Sequence, residues 1–96
     1  MEKIVIAFWR IKESEAEKIF HLLPDLVNKT RGEAGNISYV IYQAEGNPCD
    51  LILHEEYINA EAVEAHKNSD HYKQIVVDQI LPHLELRDVQ LVTRLF

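Results

Sequence analysis

Residues 3–11 carry an almost unbroken apolar run: Ile4, Val5, Ile6, Phe8, Trp9 and Ile11. A strand with one wet face alternates, so a run this continuous predicts a strand covered on both faces. The period then changes. Ala16, Ile19, Phe20, Leu23, Leu26 and Val27 recur on one stripe, which predicts an amphipathic helix to about residue 30. Ser14 and Glu17 have the spacing of a capping box, with Ser14 as the expected N-cap. Pro24 lies inside the helix, where it removes one backbone hydrogen bond and is expected to introduce a kink. Gly32 and Gly35 end the element.

Residues 36–44 alternate, with Ile37, Tyr39 and Ile41 on one face and Ser38, Val40 and Tyr42 on the other. Residues 45–50 read as a turn. Residues 51–58 form a second alternating strand, placing Leu51, Leu53, Glu55 and Tyr57 on one face and Ile52, His54, Glu56 and Ile58 on the other. Together they predict an antiparallel hairpin. Asn59 is expected to cap a short helix over 60–67. Ser69 or Asp70 starts another to about residue 81, stopped by Pro82, with Ile75, Val76, Ile80 and Leu84 as its buried positions. Residues 89–96 read as a closing strand.

The order strand, helix, strand, strand, helix pair, strand predicts a ferredoxin-like βαββαβ α+β fold with a four-stranded antiparallel sheet. Helices can cover only one face of that sheet. Ile4 with Val5, Val40 with Ile41, and Ile52 with Leu53 make both faces apolar. The helix-free face is therefore expected to be buried by a second copy of the chain, a homodimer packed sheet to sheet.

With 96 residues there is room for one domain, over 1–96, large enough to hold a core without staples. Ten Lys and Arg stand against 16 Asp and Glu, a net charge of −6. That balance argues against nucleic-acid and membrane-surface partners. The apolar start is too short for a signal peptide, and no run is long enough to span a bilayer, so a cytoplasmic location is expected. Cys49 is the one cysteine; it lies beside Asp50, which disfavours the thiolate, and it reads as an incidental turn residue. The five histidines form no His-x-x-x-His pair, and the sequence points to no metal.

Three segments resemble the antibiotic biosynthesis monooxygenase family. The stretch Thr30-Arg31-Gly32-Glu33-Ala34-Gly35-Asn36-Ile37-Ser38-Tyr39 is similar to the family's passage from first helix to second strand, with Ala34 where proline is usual. Glu55-Glu56-Tyr57 is similar to its third strand. His66-Lys67-Asn68-Ser69-Asp70-His71-Tyr72 is similar to its pair of histidines five apart, the second before an aromatic. The resemblance implies a dimeric α/β barrel. It also implies a monooxygenase that oxidises a small quinol or phenol with O2 and no prosthetic group. Other users of the fold degrade haem or process a phosphorylated signal molecule, and a non-catalytic dimeric binding or stress module is a further alternative. Haem-degrading relatives carry an axial histidine in the second helical region, where this chain has Val76; this disfavours haem.

His66, His71 and Glu55 are the candidate catalytic residues, because an imidazole or carboxylate can take a phenol proton. The plainer reading is that the histidines brace a helix junction and that Glu55 pairs with a cation at the rim. Tyr39, Tyr57, Asn36, Trp9 and Arg31 are candidates for substrate binding. Against this, tyrosines and tryptophans on strands usually pack, Asn36 fits turn chemistry, and Arg31 complements a helix C-terminus. His21, His54 and His83 read as surface or rim residues.

Overall fold

A computed structural model describes residues 1–96. Its elements are β1 (Lys3–Ile11), a 3-10 turn (Glu13–Glu15), α1 (Ala16–Arg31), β2 (Asn36–Ala44), β3 (Asn47–Tyr57), α2 (Ala60–Lys67), a π-helix α3 (Tyr72–Ile80), a 3-10 turn (Leu81–His83) and β4 (Leu84–Val92). The sheet order is β2-β3-β1-β4 with every neighbour antiparallel, the ferredoxin-like arrangement.

The strand register explains the burial pattern. In-register residues share a face, so Tyr39, Glu55, Val5 and Leu91 form one row across the sheet, and Ile41, Leu53, Ala7 and Val89 form the next. These odd-numbered positions face the helices. Ala7, Trp9 and Ile11 are buried with Ile19 and Leu26 of α1 and Ile75, Val76 and Ile80 of α3, and Val5 with Tyr57 and with Ala62 and Val63 of α2. The helix layer stops short of β4, whose residues beyond Leu84 are all exposed, Leu91 at 58%.

The other face carries Ile4, Ile6 and Phe8, half-buried, beside exposed Ile52, Tyr42 and Val92. At its margin Arg10 donates two hydrogen bonds to Asp50, 2.8 and 3.0 Å. The bidentate partner holds the Asp50 carboxyl below its ordinary value.

Several sequence expectations change. Ser14 caps nothing: it lies within the 3-10 turn, in which the Glu15 N–H already bonds the Lys12 carbonyl, and α1 begins only at Ala16. The helix continues through Pro24 to Arg31. The hairpin turn shrinks to Glu45 and Gly46, so Cys49 is a half-buried strand residue. Asn59 does cap α2, its Oδ1 accepting the Ala62 N–H at 2.9 Å. The last helix is π rather than α over Tyr72–Ile80. Leu84 belongs to β4, which starts five residues earlier than expected and ends at Val92.

Candidate functional site

His66 ends α2 almost fully buried, ringed by aromatic side chains. Its ring centroid lies 5.8 Å from Tyr39, 5.4 Å from Tyr57, 5.1 Å from Tyr72 and 6.0 Å from His71. The loop after α1 brings Glu33 to it. Glu33 Oε2 is 2.7 Å from His66 Nδ1 and 2.6 Å from His71 Nε2. An ionised carboxylate only accepts, so each imidazole donates to it, which leaves the His66 Nε2 lone pair free. That nitrogen is turned toward Glu55 Oε1, 3.9 Å away.

Ser69 fixes the segment between the histidines. Its hydroxyl donates to the His66 carbonyl at 2.6 Å and accepts the Tyr72 N–H at 3.2 Å. Gly35 lets the Glu33 loop approach α2: a Cβ there would lie 2.4 Å from the Ala62 Cβ.

On the floor of the site, the Tyr57 hydroxyl donates to Glu55 Oε1 at 2.7 Å. Burial pushes the Glu55 carboxyl above its ordinary value, against the opposing pull of the Tyr57 hydrogen bond and of His66. Burial, reinforced by Glu55, also raises the Tyr39 and Tyr57 phenols, so both stay protonated. Glu55, Tyr39, Trp9, His66 and Tyr72 line a small chamber of about 60 Å³ between sheet and helices. Arg87, Val89 and Leu91 of β4, with Lys67 and the apolar Val5, Ala7 and Val63, form the rest of its lining. A larger groove of about 430 Å³ runs between α1 and β2, but Arg31 is its one ionisable group apart from Tyr42. The chamber, not the groove, holds groups able to move a proton.

The sequence candidates divide accordingly. His66, Glu55, Tyr39 and Trp9 line the chamber together, and Tyr57 joins them through Glu55. His71 stands behind Glu33, outside the chamber lining. Asn36 is turned to backbone, its Nδ2 donating to the Ser38 and Glu56 carbonyls at a β-bulge. Arg31 donates from Nε to the Tyr39 carbonyl at 3.1 Å and lines the outer groove instead. His21 is exposed, His54 lies 4.0 Å from Glu56, and His83 lies 3.8 Å from Glu15. Sequence reasoning missed Glu33, Tyr72 and Arg87 as site residues. A carboxylate set between Gly32 and Gly35 was the available signal for Glu33.

No helix is long and apolar enough to cross a membrane. No curated protein sequence matches the chain. Solved structures do. A crystal structure of an antibiotic biosynthesis monooxygenase is 27% identical, with TM-score 0.92, covering 99% of each chain. A protein from Mycobacterium tuberculosis is 25% identical, with TM-score 0.89, over 100% of this chain and 97% of its own. A conserved protein from Methanosarcina mazei Go1 is also 25% identical, with TM-score 0.89, over 98% and 93%. The sequence profile of one family matches residues 3–77, and the chain belongs to that family, the antibiotic biosynthesis monooxygenases.

Proposed function

We propose that the chain is a monooxygenase that oxidises a small phenol or quinol with O2, using His66 as the base. The observation that carries the reading is the two-sided environment of His66. Glu33 holds Nδ1 from behind, and Nε2 shares the chamber side with Glu55. A carboxylate that orients an imidazole and stabilises its cation is the arrangement a general base needs.

Removing the hydroxyl proton makes an electron-rich phenolate, which itself supplies electrons to O2. For a phenol with a free para C–H, the new C–O bond forms at that carbon and loss of the peroxide's outer oxygen as water gives the quinone; for a quinol, the C–O bond forms at a ring carbon bearing hydrogen beside a hydroxyl, and the same loss of water gives the hydroxyquinone. One oxygen atom enters the product and the other leaves as water. The reading requires no prosthetic group. Glu55, held in place by the Tyr57 hydroxyl, forms a hydrogen-bonding floor for the substrate oxygen, and Trp9 and Val5 supply the apolar wall.

A volume of about 60 Å³ holds roughly two waters, or dioxygen. An aromatic ring therefore lies across the mouth, over Val89 and Leu91. In the proposed dimer, a second copy packed on the helix-free face wraps around β4 and shields that mouth from water. Supporting the dimer are Ile52 and Tyr42, large apolar side chains left 40% and 53% exposed on that face.

The test is oxygen uptake by the purified chain on a panel of hydroquinones and polycyclic phenols, with quinone formation followed by absorbance. The reading expects, on at least one member, uptake matched by a quinone that carries one atom from isotopically labelled O2, with no hydrogen peroxide. No uptake across the panel from a folded dimer overturns it.

A further inference from the structure

Three side chains from three separate elements converge on one point: Glu33 from the loop after α1, His66 from the end of α2, and His71 from the turn entering α3. Their ligand atoms all lie within 4.8 Å of one another. We infer that Glu33, His66 and His71 form a binding site for a divalent transition-metal ion.

The donor set selects the class of ion. Two imidazoles and one carboxylate suit Zn2+, Co2+ or Ni2+, whereas Mg2+ and Ca2+ take oxygen ligands. The geometry needs little adjustment. Glu33 Oε2 is 2.7 Å from His66 Nδ1 and 2.6 Å from His71 Nε2. Ligands on an ion with bonds of about 2.1 Å stand roughly 3 to 3.5 Å apart, so each Glu33–histidine pair spreads by less than about 1 Å, while the two imidazole nitrogens, within 4.8 Å of each other, settle to the same spacing. The supports are already built. Ser69 fixes the chain between the histidines, and the close approach of Gly35 to Ala62 fixes the Glu33 loop against α2.

The surroundings also match. Coordination through Nδ1 moves the His66 ring proton to Nε2, so the metal-loaded chain lacks the lone pair of the proposed base and the oxidation belongs to the metal-free chain; the carboxylate nearest that nitrogen is Glu55, 3.9 Å away. A ligating histidine whose other N–H faces a carboxylate is the usual outer-shell arrangement. The alternative is that the triad only shares protons, in which case no ion binds.

Calorimetry on the full, untagged, metal-stripped chain decides between them. Zn2+ and Co2+ are expected to bind at one ion per chain, and Mg2+ and Ca2+ are not. Affinity for Zn2+ is expected to fall at least tenfold in Glu33→Gln and in His71→Asn. Should either variant fail to fold, the wild type itself gives the answer. Co2+ is expected to shift or broaden the ring protons of His66 and His71 and to leave His21, His54 and His83 unchanged. No stoichiometric Zn2+ binding, full affinity in both folded variants, or perturbation confined to the other three histidines overturns the inference. All these readouts are made without substrate. A chain that binds zinc and oxidises no phenol, or the reverse, therefore separates this site from the oxidation reading.

Discussion

Tyr39 and Glu55 stand directly opposite each other on β2 and β3, so a buried phenol and a buried carboxylate share the floor beneath His66. Burial there is costly for the charged form of Glu55 and pushes its carboxyl above the ordinary value.

That shift fixes the sign of a stability effect. The unfolded chain releases the Glu55 proton at the ordinary carboxylate value, and the folded chain holds it to higher pH. The proton's contribution to folding is complete below the unfolded value and is lost as pH rises through the folded one. Glu55→Gln, whose amide oxygen can still accept from Tyr57, should therefore be more stable than wild type at pH 7 to 8. The difference should shrink toward zero near about pH 4. Urea midpoints across this range check it; a difference that does not change with pH contradicts it.

Gly35→Ala should destabilise by about 1–3 kcal/mol, because the added Cβ would stand 2.4 Å from the Ala62 Cβ and push the Glu33 loop from α2. The backbone at Gly35 has no positive φ, so the cost is steric alone. Adding Ala62→Gly should recover part of it. Urea unfolding of the two single variants and the double variant measures the coupling, and purely additive losses would speak against this contact.

Much of this was legible in the sequence. Residues 36–44 alternate cleanly, and β2 has those bounds. Asn59 and the 60–67 helix were readable because one side chain satisfies a specific orphan N–H. The misses have physical reasons. Ser14 and Glu17 match a capping pattern, but spacing cannot show that the Lys12 carbonyl starts a tighter turn first. Ile75, Val76 and Ile80 are buried in an α- or a π-helix alike, so the apolar pattern does not separate the two. For the site, Glu55 and His66 were readable as polar residues at apolar or junction positions. Glu33 had only its setting between Gly32 and Gly35 to mark it, since its partners lie 33 and 38 residues away, at His66 and His71. Asn36 and Arg31 were plausible ligand binders by type, but each bonds backbone carbonyls instead.

Ile52→Lys should convert a dimer to monomer. Ile52 pairs in register with Phe8 on one side and Tyr42 on the other, at the centre of the helix-free face. A lysine there must be desolvated between Phe8 and Tyr42 for the dimer to form, which costs several kcal/mol. Light scattering after size exclusion should give twice the chain mass for wild type and one chain mass for the variant. A wild-type monomer contradicts the proposed assembly.

The account stands or falls on His66 as the base. The direct measurement is the rate of quinone formation at saturating phenol and O2 for wild type and for His66→Gln, with folding confirmed by circular dichroism. A loss of about 10²- to 10⁴-fold in kcat is the predicted result. A folded His66→Gln chain that retains the wild-type rate would contradict it.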